Sequence, residues 1–121
     1  SSDLILTFFI LMMINNYLNP DLNCRICSRL SNFRDFLKDS YPNWHNSPVS
    51  SFGSLNSRML IVGLAPGMKG ANATGRPFTG DSAGNTLYNT LKTMNLTNGQ
   101  YSRDGKDNFN IKNIRIIKKV F

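Results

Sequence analysis

The 121-residue sequence is poor in the residues that build metal and redox sites, with two cysteines and one histidine. A tetrahedral thiolate site needs four ligands, so Cys24 and Cys27 of the segment CRIC supply at most half of one. Two cysteines this close rarely form a structural disulfide, and the spacing favours a metal or redox role in an intracellular protein. His45 stands alone in a polar segment, which predicts a solvated or hydrogen-bonded residue rather than a ligand.

No apolar stretch reaches the length of about 20 residues that a membrane-spanning helix needs. The longest runs from Leu4 to Ile14, and it has neither the positive n-region nor the cleavage site of a secretory signal. Two interpretations of residues 1–20 stay open. Either they contain a buried helix, or the natural start is Met12 or Met13 and the earlier residues are read-through. We expect no membrane partner and a cytoplasmic location.

Acidic residues are scarce, since 7 stand against 14 Lys and Arg, giving a net charge of +7. Such an excess favours polyanionic partners, because each cation placed on a phosphate releases a condensed counterion. A basic surface without a specific partner fits the charge equally well. The length supports a single domain.

The standard nucleotide-binding motifs are also absent. Gly70-x4-Gly75 comes closest to a phosphate loop, but Arg76 and Pro77 occupy the positions of its lysine and hydroxyl residue. The dinucleotide fingerprint G-x-G-x-x-G and the nucleophile elbow G-x-S-x-G do not occur. A phosphate-loop NTPase, a dinucleotide enzyme and a serine hydrolase of the nucleophile-elbow type are therefore excluded.

Hydrophobic periodicity predicts two helices. One runs from Asp21 to Lys38. Its apolar face comprises Leu22, Ile26, Leu30, Phe33 and Leu37. The other covers Ser82 to Met94, with Asp81 or Ser82 as its N-cap.

Two strands are predicted beside these helices. The apolar run from Met59 to Pro66 indicates a strand buried on both faces, and residues 111–121 are compatible with a second strand. Strand, helix and strand make a parallel βαβ unit. Because open α/β sheets bind ligands at the carboxyl ends of their strands, the loop at 64–81 is the candidate site.

This loop combines glycines, one aromatic residue and one carboxylate. Glycines let the backbone come close to a flat ligand. Phe78 can stack on a base, although a core aromatic is the simpler interpretation, and Asp81 alone is an ordinary helix cap.

Taken together, these residues resemble the first active-site motif of the uracil-DNA glycosylase superfamily. The match is to the family-five branch, the iron–sulfur enzymes of bacteria and archaea. Its motifs are CRICSRLSNFR at 24–34, PVSSFG at 48–53, GLAPG at 63–67 and NATGRPFTGD at 72–81. The resemblance covers Leu22 to Ile116, about the first half of the family's length.

The resemblance implies a three-layer α/β/α fold with a mainly parallel central sheet, here truncated after about the second strand, in a domain over 21–121. It implies base-excision repair: hydrolysis of the N-glycosidic bond of uracil, and of other deaminated bases, in DNA. Asp81 would position or deprotonate the attacking water, and Cys24 and Cys27 would hold half of a 4Fe–4S cluster. The implied substrate-binding residues are Gly63, Ala65, Pro66, Gly67, Met68, Asn72 and Phe78.

The sequence departs from the family pattern at three places. Lys69 replaces a common His, Ala73 replaces a common Arg, and agreement ends after Ile116, before the third cluster cysteine. This predicts a truncated or frame-shifted product that is inactive or impaired as a glycosylase and does not hold the cluster alone. The alternative is a non-catalytic basic α/β fragment that binds single-stranded DNA or a nucleotide phosphate.

Overall fold

The computed structural model describes residues 2–118, and for residues 14–18 it describes the backbone alone. Helix α1 covers Ser2–Leu18. Its large apolar side chains are exposed from Leu4, at 74%, to Met13, at 63%. The interpretation of residues 1–20 as a buried helix is therefore wrong for residues 4–13, whose large apolar side chains lie on the surface of the described structure. Among the described residues, no helix is long and apolar enough to cross a bilayer.

Helix α2 covers Ser28–Ser40, so it begins seven residues after the predicted start at Asp21. The cause is a turn at Asp21, whose Oδ1 accepts a hydrogen bond of 2.7 Å from the Asn23 N–H, followed by extended backbone at Cys27. Of the predicted apolar face, only Leu37 is buried, whereas Ile26 precedes the helix and is 91% exposed.

The predicted parallel βαβ unit is confirmed. Strand β1 covers Met59–Gly63, and a loop containing the short helix α3, Ala71–Thr74, leads from it to helix α4, Ser82–Thr93. A small antiparallel pair follows, β2 at Thr97–Asn98 and β3 at Asn110–Ile111. Strand β4, Ile114–Lys118, pairs in parallel with β1. Residues 119–121, the end of the predicted second strand, lie outside the described residues.

The register of the parallel pair sets Met59 opposite Ile114 and Gly63 opposite Lys118. On the other side of β4, Phe52 forms an isolated antiparallel bridge with Ile116 through hydrogen bonds of 2.9 and 2.7 Å.

The core lies on one face of this sheet. It is built from Tyr88 and Leu91 of α4 with apolar residues of the following strands and loop, namely Phe109, Ile111, Ile114 and Ile116. The prediction that β1 is buried on both faces is wrong, because Leu60 and Val62 are 57% and 56% exposed. Alternation along the strand turns Ile61 toward the core and leaves the opposite face without a covering layer among the described residues. The chain is an α/β domain, as predicted, with a short parallel sheet.

Candidate active site

The candidate loop lies at the carboxyl ends of the two parallel strands, as predicted. It leaves β1 after Gly63, whose partner in the register is Lys118 at the end of β4. A side chain at Gly63 would collide with this neighbourhood, since a Cβ there would lie 2.6 Å from Cδ of Lys118 and 3.0 Å from Cζ of Phe78. The absence of a side chain at this strand end thus makes room for both residues.

Phe78 has an unusual backbone conformation for a bulky residue, with φ at +55°. Residues other than glycine rarely adopt this region, and the strain costs about 1–3 kcal/mol unless the surroundings enforce it. The ring is half-buried and packs against the core, and the Lys118 ammonium lies 3.6 Å from its centroid. The interpretation of Phe78 as a core aromatic is thus supported, and its stacking on a base stays a prediction.

Asp81 caps helix α4, as predicted for Asp81 or Ser82. Its Oδ1 accepts a hydrogen bond of 2.8 Å from the N–H of Gly84. The other oxygen, Oδ2, lies next to Gly67 and Gly70, at 3.9 and 2.9 Å from the positions where their Cβ atoms would stand. Within residues 2–118 no hydrogen bond to Oδ2 forms, so half of this partly exposed carboxylate is free to accept one from water.

Hydrogen bonds inside the loop hold Phe78 and Asp81 in place. The buried Thr79 hydroxyl donates to the Arg76 carbonyl and accepts from the Thr74 hydroxyl at 3.1 Å. The hydroxyl of Tyr88, in the core, donates to the Pro77 carbonyl at 2.6 Å. Burial raises the pKa of Tyr88, which keeps this donor protonated. The loop is therefore anchored on both sides of Phe78.

A buried ion pair anchors the same loop to the segment before β3. The Arg76 guanidinium forms two hydrogen bonds with the Asp107 carboxylate, at 2.7 and 2.9 Å, and the side chains are only 12% and 5% exposed. These hydrogen bonds hold the pKa of Asp107 at about 2. Four rings lie around the guanidinium at 5.1–5.9 Å: Phe52, Tyr88, Tyr101 and Phe109.

Four of the remaining predicted substrate-binding residues, all except Gly63 and Gly67, line a different space. A groove of about 310 Å³ lies between the loop and α2. The loop contributes Ala65, Pro66, Met68 and Asn72 to it, and α2 contributes Arg29, Leu30, Phe33 and Arg34. Phe78 and Asp81 do not line this groove, so the structure divides the predicted set between two sides of the loop.

Asn72 is buried, and its side chain connects the loop to the segment after α2 by hydrogen bonds. Its Nδ2 donates to Asn46 Oδ1 at 3.1 Å and to the Met68 carbonyl at 3.2 Å. Asn46, itself fully buried, donates to the carbonyls of Leu37 and Tyr41 at the end of α2. Both donors of the Asn72 amide group are thus hydrogen-bonded within the protein. The predicted contact of Asn72 with substrate stays a prediction, and it would have to use Oδ1. His45, which bonds the Pro48 carbonyl at 3.1 Å, is the hydrogen-bonded histidine that was predicted.

The two cysteines lie in the turn that leads into α2. Cys24 is partly exposed, Cys27 is exposed, and both thiols are free. Arg34 donates to the Cys24 carbonyl and fixes this turn on α2. Among the described residues, no three His, Cys, Asp or Glu side chains come together as a metal site. The residues present therefore do not fit a four-cysteine cluster on their own.

Comparison with known proteins decides the family. A family model described as the uracil DNA glycosylase superfamily matches residues 50–119, more than half of the chain. The chain is 36% identical over 110 residues to a type-5 uracil-DNA glycosylase of Pyrobaculum aerophilum, covering 88% of this chain and 49% of that protein. It is 41% identical over 113 residues to a type-5 uracil-DNA glycosylase of Mycobacterium leprae, covering 84% and 49%. A third, of Thermus thermophilus, is 42% identical over 90 residues, covering 69% and 41%.

The chain belongs to the uracil-DNA glycosylase superfamily. The resemblance identified from its motifs is confirmed, and so is the α/β fold that it implied. The chain spans about half the length of the curated relatives it matches.

The structure adds three residues that the sequence interpretation of this glycosylase-family chain did not place in the site. Arg76 and Asp107 lie 31 residues apart, and no motif links them. Lys118 lies in the C-terminal segment, beyond Ile116, where agreement with the family pattern ends. The register of the parallel pair, which sets Lys118 opposite Gly63, brings Lys118 to the loop, and no motif in the sequence indicates this register.

Proposed function

We propose that this chain carries half of the active site of a DNA-repair glycosylase that hydrolyses the N-glycosidic bond of uracil in DNA. The observation that carries the proposal is the pairing of Phe78 with the free Asp81 oxygen on one anchored loop. Lys118 links the two, because it lies over the Phe78 ring and within electrostatic range of Asp81. The names of the relatives support uracil as the base.

The chemistry requires the target nucleotide to leave the DNA stack, at a cost of a few kcal/mol. Phe78 offers the flipped base a ring to stack on, a contact worth about 1–3 kcal/mol. Backbone of the predicted Gly67–Met68 wall would lie next to it, and of these two residues Gly67 stands beside Asp81 Oδ2. In this proposal the sugar of the flipped nucleotide lies next to the carboxylate.

Asp81 then has two tasks at the sugar. Its Oδ2 accepts a proton from a water whose oxygen bonds to C1′, while the C1′–N1 bond breaks and its electron pair leaves with uracil. The negative charge also stabilises the oxocarbenium-like sugar in the transition state. Oδ1 stays bonded to the Gly84 N–H, which fixes the carboxylate during the reaction.

The finer assignments rest on the family. In a full-length enzyme of the type-5 branch, Cys24 and Cys27 would provide two ligands of a 4Fe–4S cluster, and no reaction step here depends on it. Uracil-containing DNA is the partner, and the net charge of +7 favours its phosphates. A repair role on genomic DNA of a bacterium or archaeon would correspond to a cytoplasmic location.

The test uses the 121-residue chain and a single-stranded oligonucleotide with one uracil, matched by an otherwise identical oligonucleotide with thymine. The expected result is an alkali-labile abasic site in the uracil strand only, formed slowly because the chain spans half of its relatives. An uncleavable 2′-fluoro-deoxyuridine strand separates recognition from catalysis, and tighter binding of this strand than of the thymine strand supports the site.

Equal binding of both strands, with affinity that falls steeply as salt rises and no abasic product, would reject the glycosylase proposal. That result would support the alternative, a basic fragment that binds single-stranded DNA through its phosphates.

A further inference from the structure

The groove between α2 and the candidate loop has no part in the hydrolysis proposed above. Its volume of about 310 Å³ lies at the lower end of the range for small-ligand sites, about 300–1,000 Å³. Phe78 and Asp81 lie outside it. The groove can therefore hold a ligand of its own while a nucleotide occupies the candidate site.

Positive charge and apolar surface meet in this groove. Arg29 and Arg34 are its charged residues, and among residues 2–118 no Asp or Glu lines it. Phe33 stands one helical turn after Arg29, on the same side of α2, and its ring is 47% exposed. Leu30 and Met68 line the groove as well. A matching ligand carries a negative charge beside a flat apolar group.

A nucleotide combines these two parts in one unit. Its phosphate can pair with a guanidinium, which presents its N–H donors in a planar fork, and its base can stack on Phe33. Arg34 gives one of its five donors to the Cys24 carbonyl, so it can also contact an anion. An apolar peptide would fit the apolar lining but would gain nothing from the two guanidinium groups.

The groove is preformed, because hydrogen bonds join its two walls. The backbone N–H groups of His45 and Asn46 donate to the carbonyls of Ala73 and Asn72, both at 3.1 Å. The Asn46 side chain also donates to the Leu37 carbonyl of α2 at 3.3 Å. A ligand that enters the groove therefore does not have to order its walls, which lowers the entropic cost of binding.

The groove begins one residue from the candidate carboxylate. A Cβ at Gly67 would lie 3.9 Å from Asp81 Oδ2, and the next residue, Met68, lines the groove. Consecutive Cα atoms are about 3.8 Å apart, and consecutive nucleotides of a stacked strand are about 3.4 Å apart along its axis. A strand with one nucleotide at Asp81 can therefore reach the groove with a neighbouring nucleotide.

We propose that this groove binds a nucleotide next to the flipped one in the same DNA strand, with its base on Phe33 and its phosphate at Arg29. The proposal rests on the function proposed above, which sets the flipped nucleotide beside Asp81. It adds a second contact that holds the strand whatever the neighbouring base is. The contact accepts any base, because every base has a π-face and phosphates carry no sequence information.

The first test is a cycle between Phe33 and the neighbouring base. Single-stranded oligonucleotides carry one uncleavable 2′-fluoro-deoxyuridine, and an abasic spacer replaces each neighbouring nucleotide in turn. At one of these positions the spacer should weaken binding to the wild-type chain by about tenfold. Phe33→Ala should weaken binding of the intact strand by a similar factor and should show no further loss with the spacer.

Two variants of α2 are the controls for this cycle. Phe36 is also an exposed aromatic residue of α2, at 61%, but it does not line the groove. Phe36→Ala should therefore bind every strand as the wild type does. Phe33→Tyr keeps a ring that can stack, so it should restore the loss caused by the spacer.

The second test measures the phosphate contact at Arg29. Arg29→Gln should reduce the slope of log affinity against log salt by about 0.7, the value for one phosphate of a single strand. Lys38→Gln removes an exposed charge from the last turn of α2, outside the groove, and should keep the wild-type slope. If Arg29→Gln also keeps that slope, Arg29 does not contact a phosphate.

The outcomes separate this proposal from the function on which it rests. If the spacer costs wild type and Phe33→Ala the same at every position, no base stacks on Phe33 and the groove proposal is refuted. The glycosylase proposal still stands in that case if the wild-type chain binds the 2′-fluoro-deoxyuridine strand more tightly than the thymine strand. If that preference is absent but the spacer loss depends on Phe33, the glycosylase proposal falls and the groove remains a nucleotide site.

Discussion

Replacing Asp107 by Asn tests the anchor of the candidate loop without changing its shape. Asp107 accepts four hydrogen bonds, two from Arg76 and two from the backbone N–H groups of Ser102 and Phe109. The asparagine keeps one acceptor oxygen and loses the charge. The Arg76 guanidinium then stays inside its ring of aromatic residues as a buried cation without a counterion.

The structure bounds the expected loss of stability. Holding the pKa of Asp107 at about 2 rather than near 3.8 corresponds to about 2 kcal/mol of stability at neutral pH. Removing one partner of a buried ion pair costs about 3–5 kcal/mol. We expect a loss of about 3 kcal/mol, a large part of the roughly 5–15 kcal/mol that holds a domain together. At a slope of about 1.5 kcal/mol/M, this lowers the urea midpoint by about 2 M.

Urea unfolding at two pH values is the assay. The pKa of Asp107 is lower in the folded chain, so its contribution is present above pH 4 and is lost as pH falls through 2. The stability gap between wild type and Asp107→Asn should therefore shrink by about 2 kcal/mol between pH 5 and pH 2.

Asp35→Asn is the matched control, because Asp35 pairs with Arg25 on the surface, where both side chains are largely exposed. Its urea midpoint should equal that of the wild type within error. The assignment of Asp107 as a buried counterion would be refuted by either of two results. One is that wild type and Asp107→Asn have the same free energy of unfolding at pH 5; the other is that their difference stays constant down to pH 2.

Two further substitutions probe the two sides of the loop. Gly84→Ala should cost about 1–3 kcal/mol in thermal unfolding although alanine favours helix, because its Cβ would lie 1.8 Å from the Phe78 carbonyl oxygen. Gly67→Ala, whose Cβ would meet nothing closer than 3.9 Å, is the control and should leave the unfolding temperature unchanged. Asn72→Ala should cost about 1–3 kcal/mol in urea unfolding, because the buried Asn46 oxygen loses its donor. If Gly84→Ala or Asn72→Ala is as stable as wild type, the contact that this substitution changes does not hold the loop.

Local patterns in the sequence predicted the parts of this fold that depend on neighbours along the chain. Asp81 as a cap, α4 after it and the strand from Met59 each follow from residues within a few positions. The parallel pairing followed from the order strand, helix, strand. The family resemblance then identified Phe78 and Asp81 as a pair that periodicity alone does not single out.

The parts that were missed depend on contacts between distant segments. The helix predicted from Asp21 starts at Ser28, because a turn at Asp21 competes with a helical pattern that extends through Leu22 and Ile26. The exposure of Leu60 reflects which elements surround β1, and a strand's own residues do not report it.

In the candidate site, too, contacts between distant segments could not be predicted from local sequence patterns. Arg76 was compared with a phosphate-loop lysine, whereas its partner is a carboxylate 31 residues away. Asn72 was assigned to substrate, but its donors join the loop to the segment after α2. Lys118 lies at the site because the register of the sheet sets it opposite Gly63, which no local pattern in the sequence predicts.

The central claim is that Asp81 delivers the water in a uracil-specific hydrolysis. Single-turnover release of uracil from a single-stranded oligonucleotide by wild type and by Asp81→Asn tests it most directly. Asparagine is also a good N-cap, so the variant keeps the hydrogen bond to Gly84 and loses only the charge and the proton acceptor. Asp104→Asn makes the same change at an exposed position, where the carboxylate accepts hydrogen bonds from Ser102 and Lys106.

The account predicts that Asp81→Asn releases uracil at least about 100-fold more slowly than wild type. Its urea midpoint should not change, and the rate of Asp104→Asn should equal that of wild type. An Asp81→Asn chain that is folded and releases uracil as fast as wild type would contradict the account.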